Sequence, residues 1–147
     1  LLKDFITICL QPQNNYYFIP LKKGVDKTDG IDLIFYVPLH KKKLRTRGFD
    51  QAFLIAKEIS KLSNIPLKAD FLFKKKDTPP QAALKKQIRM KNLKSAFDVR
   101  DSGFLEGKNV LLVDDVITTG ATVNECSKVL KQHGTNRVEV FTLARAV

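Results

Sequence analysis

The residue types best suited to chemistry lie together in residues 110–122, which run Val-Leu-Leu-Val-Asp-Asp-Val-Ile-Thr-Thr-Gly-Ala-Thr. The unbroken apolar run predicts a buried strand, and two adjacent carboxylates, Asp114 and Asp115, follow at its carboxyl end. In open α/β sheets, ligands bind beyond the carboxyl ends of the strands. The segment therefore predicts a ligand site that has two carboxylates at its edge.

A hydroxyl-rich turn follows the two acids and leads into a predicted helix. Its backbone N–H groups, its hydroxyls and the helix N-terminus can converge on one anion. The predicted phosphate-binding residues are Thr118, Thr119, Gly120, Ala121 and Thr122. A Walker-type loop is excluded, because the sequence contains no GxxxxGK[ST] pattern.

Carboxylates beside a phosphate site need an explanation, because the two charges repel each other. A ribose 5-phosphate resolves the conflict, since its 2- and 3-hydroxyls donate hydrogen bonds to ionised carboxylates away from the phosphate. A Mg²⁺ that bridges these hydroxyls and an attached pyrophosphate would offset the remaining negative charge. The alternative is a structural turn in which Asp114 and Asp115 only cap the helix, but a cap seldom needs two acids, two threonines and a glycine.

This segment resembles the phosphoribosyl pyrophosphate signature of type I phosphoribosyltransferases. Other stretches are similar to the ComF-type competence-protein branch of that superfamily, and the similarity covers roughly residues 33–145. They are Val37-Pro38-Leu39-His40, Arg45-Thr46-Arg47-Gly48-Phe49-Asp50-Gln51-Ala52, Thr78-Pro79-Pro80-Gln81, Leu84, Arg89, Asn92, Ala96-Phe97 and Thr142-Leu143-Ala144-Arg145. The resemblance implies an α/β fold: a type I phosphoribosyltransferase-like, mostly parallel twisted sheet flanked by helices, with a small N-terminal hood-like segment.

The resemblance also implies roles for individual residues. Asp114 and Asp115 would hold the ribose hydroxyls, and residues 118–122 the 5-phosphate. The Mg²⁺ would be held mainly by the ligand, with Asp114 or Asp115 as its contact on the protein. The loop from Leu39 to Lys43 would meet the pyrophosphate. The predicted pyrophosphate-binding residues are Leu39, His40, Lys41, Arg45 and Arg47, and the predicted flap residues are Gln81, Arg89 and Asn92.

Several of these assignments have a plainer alternative. Lys41 and Arg45 are equally well explained as solvent-facing side chains, and Arg47 serves either the pyrophosphate or the structure. His40 is better explained as an ordinary loop residue than as a catalytic one. The dipole at a helix C-terminus explains His133.

Two features depart from the family pattern. ComF-type proteins usually begin with a Cys-rich zinc-binding segment, whereas Cys9 and Cys126 here form no CxxC pair, so no zinc module is assigned. Position 50 is Asp where the pattern has Asn, a mild change for a helix N-cap. The sequence begins with Leu1 rather than Met, and we expect that an upstream part is missing.

The net charge of +11 comes from one region of the chain. Residues 41–94 hold sixteen Lys and Arg against four Asp and Glu, a balance of +12, so the remainder carries −1. This concentration favours a polyanionic partner, although any single lysine run is more simply a solvated face.

Periodicity outlines the elements that position the site. We predict strands at 33–37, 71–73, 97–99, 110–113 and 138–143, a basic loop after the first of these, a helix from Asp50 to Asn64, a short helix near 82–93 and a helix ending at Gly134. Residues 1–32 predict hairpin-like or irregular structure, as a hood or the remnant of a truncated N-terminal module. Residues 33–147 form the predicted phosphoribosyltransferase-like domain.

Three hypotheses of function remain open from the sequence. The first is an active phosphoribosyltransferase of unknown acceptor that binds phosphoribosyl pyrophosphate with Mg²⁺, in a protein associated with natural competence and DNA uptake. The second is a competence factor that binds single-stranded DNA, and the third is a regulator that senses phosphoribosyl pyrophosphate without catalysis. A competence helicase is a further expected partner. We expect a cytoplasmic location and no membrane insertion, since two cysteines suit a reducing compartment and no apolar run approaches ~20 residues.

Overall fold

The computed structural model describes residues 6–10, 16–20, 30–77 and 95–145. A 3₁₀ turn at Ser102–Leu105 precedes the longest strands. The strands are β1 (Ile6–Leu10), β2 (Tyr16–Pro20), β3 (Leu33–Tyr36), β4 (Leu72–Lys74), β5 (Phe97–Val99), β6 (Asn109–Ile117) and β7 (Arg137–Arg145), and the helices are α1 (Lys41–Arg47), α2 (Gln51–Ser63) and α3 (Ala121–Gln132).

Five strands form one sheet in the order β2-β1-β7-β6-β3. The strands β3, β6 and β7 are parallel to one another, whereas β1 runs antiparallel to both β7 and β2. The predicted α/β class with a mostly parallel sheet flanked by helices is confirmed, as is the hairpin-like pairing predicted within residues 1–32. That hairpin extends the main sheet through β1, and the division of the chain at residue 32 stays a prediction.

The central strand β6 is apolar on both faces because a helix covers each of them. Val110 and Leu112 pack with α3 in one core cluster, whereas Leu111 and Val113 pack with α2 in the other. Along a strand, successive side chains point to opposite faces, so the run Val-Leu-Leu-Val supplies both cores at once. This arrangement fixes the carboxyl end of β6 between two helices.

The predicted helix from Asp50 to Asn64 is confirmed by α2. Asp50 is its N-cap and accepts a hydrogen bond from the backbone N–H of Phe53, and Asn64 ends the helix in a left-handed conformation, with φ of 59°. Ala52 and Ala56 are its buried residues, which lets the helix lie close to the sheet.

Two predicted boundaries are wrong. The strand predicted to end at Val113 continues to Ile117, because β7 runs on beside it and pairs Asp114 with Thr142 and Val116 with Ala144. The basic loop predicted after β3 is short, because residues 41–47 form the helix α1. The short helix predicted near 82–93 lies outside the described residues.

The second sheet is a pair of short strands, β4 and β5, in antiparallel register. These correspond to the strands predicted at 71–73 and 97–99. In the described part of the chain, no helix is both long and apolar enough to cross a bilayer.

Because β6 is buried on both faces, we expect two leucine truncations to differ greatly in their effect on the free energy of unfolding. Leu112 on β6 is 0% exposed, whereas Leu62 on α2 is 70% exposed. We expect Leu112→Ala to lower the free energy of unfolding by about 2 to 5 kcal/mol, because it leaves a cavity, and Leu62→Ala to change it by under about 0.5 kcal/mol. Urea unfolding followed by circular dichroism measures both, and similar losses in the two variants would contradict this placement of the core.

Candidate functional site

A cavity of about 270 Å³ lies where the carboxyl ends of β3 and β6 meet. Six segments contribute to its wall: the turn after β3, α1, the start of α2, the β4–β5 pair, the end of β6 and the turn before α3. The lining residues are Val37, Pro38, Leu39, Lys43, Arg47, Asp50, Gln51, Ala52, Lys74, Phe97, Asp114, Asp115, Val116, Thr118 and Thr122. Parallel strands end at the same edge of a sheet, so chain segments far apart in sequence meet here.

Both predicted carboxylates line this cavity, but they are not equivalent. Asp114 is buried, with 9% of the residue exposed, whereas Asp115 is only half-buried. Asp114 Oδ1 accepts a hydrogen bond from the backbone N–H of Asp115 at 2.9 Å, and Asp115 Oδ1 accepts one from Val116 at 2.8 Å. The hydroxyl of buried Thr142 on β7 donates to the carbonyl of Asp115 at 3.1 Å, so the backbone beneath the acids is fixed by the neighbouring strand.

Burial raises the pKa of Asp114 to about 8, and the nearby negative charges of Asp115 and Asp50 act in the same direction. A carboxyl group that holds its proton near neutral pH faces too little positive charge to stabilise its ionised form. The cavity is therefore suited to a ligand that brings a cation or hydrogen-bond donors to Asp114.

The turn between β6 and α3 has the geometry of an anion site. Gly120 is the N-cap of α3 with φ of 78°, a left-handed conformation that glycine adopts without strain, and it has no side chain to accept from the first helical amides. Thr119 Oγ1 lies at a long 3.4 Å from the amide of Ala121. A small concavity next to the main cavity is lined by Asp114, the predicted phosphate residues 118–122 and their neighbours Val116, Ile117 and Val123.

Three cationic side chains also line the main cavity. Arg47 is among the predicted pyrophosphate-binding residues, and Lys43 ends the loop from Leu39 that the sequence places toward the pyrophosphate, whereas Lys74 is not predicted. Burial lowers the pKa of Lys74, and the nearby charge of Lys43 adds to that effect. Lys43 and Arg47 are four residues apart on α1 and share one face of it. That spacing becomes informative only once residues 41–47 are known to be helical.

Asp50 is a further cavity residue that sequence reasoning treats only as a helix cap. Its Oδ1 accepts from the backbone N–H of Phe53 and its Oδ2 from that of Leu39, each at 3.2 Å. Burial raises its pKa, which the two backbone hydrogen bonds partly oppose. The charge of Asp115 raises it further.

Leu39 lines the cavity, but three other residues predicted to meet pyrophosphate do not. His40 is the N-cap of α1, and its Nδ1 accepts from the backbone N–H of Lys42 at 3.3 Å. Lys41 lines a neighbouring cavity of about 670 Å³ between α1, α2 and β4. Arg45 is exposed and lines neither cavity.

The remaining predicted residues fall into two groups. Gln81, Arg89 and Asn92, the predicted flap, lie outside the described residues. His133 follows α3 as its C-cap, and its Nδ1 lies 2.8 Å from the carbonyl oxygen of Val129, in agreement with the predicted place at a helix C-terminus.

Comparison with known proteins gives the same picture of the fold. Residues 48–146 match the family model described as phosphoribosyl transferase domain. A solved structure described as the allosteric regulatory enzyme of purine biosynthesis aligns with a TM-score of 0.51 at 22% identity, covering 76% of this chain and 21% of that one. At this identity the structural likeness shows the fold alone.

Two curated relatives each match part of the chain. Competence protein F of Haemophilus influenzae is 39% identical over 92 residues, which is 62% of this chain and 40% of the relative. DNA utilization protein YhgH of Escherichia coli K12 is 37% identical over 70 residues, which is 48% of this chain and 30% of the relative. The matched parts are therefore less than half of either relative's length. The chain belongs to the phosphoribosyl transferase domain family and, within it, to the ComF-type competence proteins.

Proposed function

We propose that the cavity at the ends of β3 and β6 binds phosphoribosyl pyrophosphate with Mg²⁺, and that the chain transfers the phosphoribosyl group to an acceptor. One observation carries the proposal. A single cavity is lined by both acids, by Thr118 before α3 and Thr122 in its first turn, and by three cationic side chains. This lining suits a ligand that offers hydroxyl donors at one place and negative charge at two others, as a phosphorylated ribose with a pyrophosphate does.

Within this proposal, each group of the ligand has a matching part of the site. The 5-phosphate meets the turn 118–122, where the amides of the first turn of α3 have no acceptor within the helix. The ribose hydroxyls donate to Asp114 and Asp115. The pyrophosphate lies toward Lys43, Arg47 and Lys74, whose positive charges attract it.

The residues also suit Mg²⁺. Carboxylate oxygens are its preferred protein ligands, and it is usually bound through one or two carboxylates together with substrate phosphates. Among the described residues, no group of three or more His, Cys, Asp or Glu could hold a metal ion. When bound, Mg²⁺ would supply positive charge that stabilises the leaving pyrophosphate.

The proposed reaction breaks the bond between the anomeric carbon and a pyrophosphate oxygen and forms a bond from that carbon to the acceptor. Both electrons of the broken bond leave with pyrophosphate, where Lys43 and Arg47 balance the added charge. Asp114 and Asp115 fix the ribose and favour the positive charge that develops on its ring. A protein that only senses phosphoribosyl pyrophosphate would use the same contacts, and turnover distinguishes the two.

The cellular role we propose is in natural competence and DNA uptake, and its support is the names of the two curated relatives. One observation favours a second candidate function, the binding of single-stranded DNA. The helix α1 carries five basic residues and buries none of them, and Phe49 beside it is 47% exposed with the Arg47 guanidinium 6.0 Å from its ring centre. Cations beside an exposed ring are typical of surfaces that bind single strands.

Asparagine variants of the two acids test the proposed ligand. We expect Asp114→Asn and Asp115→Asn each to weaken binding of phosphoribosyl pyrophosphate with Mg²⁺ by about 1.5 to 3 kcal/mol, because each loses one charged hydrogen bond to a ribose hydroxyl. Isothermal titration calorimetry measures the affinities, and pyrophosphate release in the presence of candidate bases and amines measures turnover. Binding without release by the wild-type protein would indicate a sensor.

The matched control for these variants is Asp101→Asn. Asp101 is exposed, makes no capping hydrogen bond and lies outside the cavity. Its affinity should equal that of the wild-type protein. Equal affinities for all four proteins would contradict the assignment of the acids.

The raised pKa of Asp114 predicts that binding becomes tighter as the pH rises. The free carboxyl is protonated below about 8, whereas the ribose and Mg²⁺ favour its ionised form, so ligand binding releases a proton there. At pH 7 we expect about one proton released per ligand, and a smaller number for Asp114→Asn. Calorimetry in buffers of different ionisation enthalpy counts these protons, and identical counts for the two proteins would show that Asp114 does not titrate on binding.

Charge removal on α1 tests the second candidate function. We expect Lys41→Gln/Arg45→Gln to weaken binding of a single-stranded oligonucleotide and to lower the slope of log affinity against log salt by about 1.4, since two phosphate contacts are lost. Fluorescence anisotropy at several salt concentrations measures this slope. Lys57→Gln/Lys61→Gln, which removes two exposed charges from α2, is the control and should leave the slope unchanged.

A further inference from the structure

The helix α1 is capped at both ends, by His40 and Gly48, but has few other sources of helix stability. It has seven residues, buries none of them and has no acidic residue in its first turn, where Lys41 to Lys43 carry positive charge. Positive charge is unfavourable at a helix N-terminus, and a helix this short does not form on its own. The conformation and position of α1 therefore depend on contacts at its two ends.

One hydrogen bond closes the chain around α1. The backbone N–H of Leu39, just before the helix, donates to Oδ2 of Asp50, just after it, across a sequence separation of 11 residues. The other oxygen of the same carboxyl, Oδ1, accepts from Phe53 at the start of α2. Asp50 thus joins both ends of the α1 segment to a long helix that packs on the sheet.

The closure has a consequence for the cavity because α1 supplies two of its cations. Lys43 and Arg47 line the cavity together with Asp50 itself, and neither is held there by core packing. A shift of α1 would move both side chains together, whereas the turn 118–122 and the two acids on β6 belong to a different part of the fold.

We propose that Asp50 is a positioning residue that sets the pyrophosphate end of the site by holding α1 in place. This inference rests on the proposed binding of phosphoribosyl pyrophosphate. In this role Asp50 acts on the pyrophosphate end of the site through α1. A cap for α2 alone needs only one acceptor oxygen, which a neutral serine supplies without placing a third carboxyl near Asp114 and Asp115. Capping of α2 does not explain the second carboxylate oxygen of Asp50, Oδ2, whereas its hydrogen bond from the backbone N–H of Leu39 does.

The variant Asp50→Ser separates the two functions of this carboxyl. A serine hydroxyl accepts from the amide of Phe53 and keeps α2 capped, but its side chain is one atom shorter and does not reach Leu39. We expect an affinity for phosphoribosyl pyrophosphate with Mg²⁺ about tenfold lower than that of the wild-type protein. The affinity for ribose 5-phosphate, which lacks the pyrophosphate, should be unchanged. Asp50→Ala, which also loses the cap, should in addition unfold at a lower urea concentration.

Calorimetry with the two ligands, together with hydrogen exchange of the free proteins, completes the test. In Asp50→Ser, the amides of α1 should exchange faster while those of α2 keep their protection. Equal losses of affinity for both ligands, unchanged affinity for both, or unchanged exchange in α1 would each overturn the role of Asp50 and leave the proposed function standing. A wild-type protein that binds neither ligand would overturn both.

Discussion

The site depends on one constraint, which is that the carboxyl group of Asp114 is buried near two others, those of Asp115 and Asp50. Asp114 lies in the wall of the cavity, near Asp115 and Asp50, in a place where the core of β6 admits little water. Its pKa, raised to about 8, means that the folded chain holds this proton over a range where an unfolded chain does not. The contribution of Asp114 to stability is therefore full below pH about 4 and is lost as the pH rises through about 8. A fold selected for stability alone would not retain such a residue.

The unfavourable free energy of burying the Asp114 carboxyl also explains why the cations around the cavity come from less stable parts of the chain. The acids are fixed by β6 and by the ladder to β7, so their positions are as rigid as the core. Lys43 and Arg47 come from a short helix without buried residues, and Lys74 from a three-residue strand. The negative charges thus lie on the rigid strand β6, and the positive charges lie on α1 and β4, whose positions can adjust. A ligand that carries a cation at one end and negative charge at the other would complement this arrangement.

The parts of this structure that were predictable from sequence are those where one periodicity dominates. The helix α2 has apolar residues at helical spacing, an Asp at its start and an Asn at its end, so its bounds follow from local signals alone. The bounds of β6 depend on β7, since only a partner strand tells whether polar residues such as Asp114 and Asp115 continue a ladder. The helix α1 has no apolar stripe, and its contacts with distant parts of the chain, such as Leu39 with Asp50 and Lys42 with Asp77, are encoded by no local pattern. For this reason the acids, the turn and the loop that ends at Lys43 were predictable from sequence as parts of one cavity, whereas Lys74 and the second hydrogen bond of Asp50 were not.

The geometry of α1 also decides which of its side chains could contact a sugar phosphate and which could contact a DNA strand. Residues four apart share a face of a helix, so Lys43 and Arg47 form one row and Lys41 and Arg45 another, about half a turn away. The first row lines the cavity, where three carboxyl groups also lie and repel a chain of phosphates. The second row does not line the cavity. A DNA backbone would therefore meet the row outside the cavity, and a single phosphorylated ribose the row inside it. Arg47 is common to both proposed functions, because it lines the cavity and its guanidinium also lies 6.0 Å from the centre of the exposed Phe49 ring. Lys41 and Arg45 would contact the DNA strand alone.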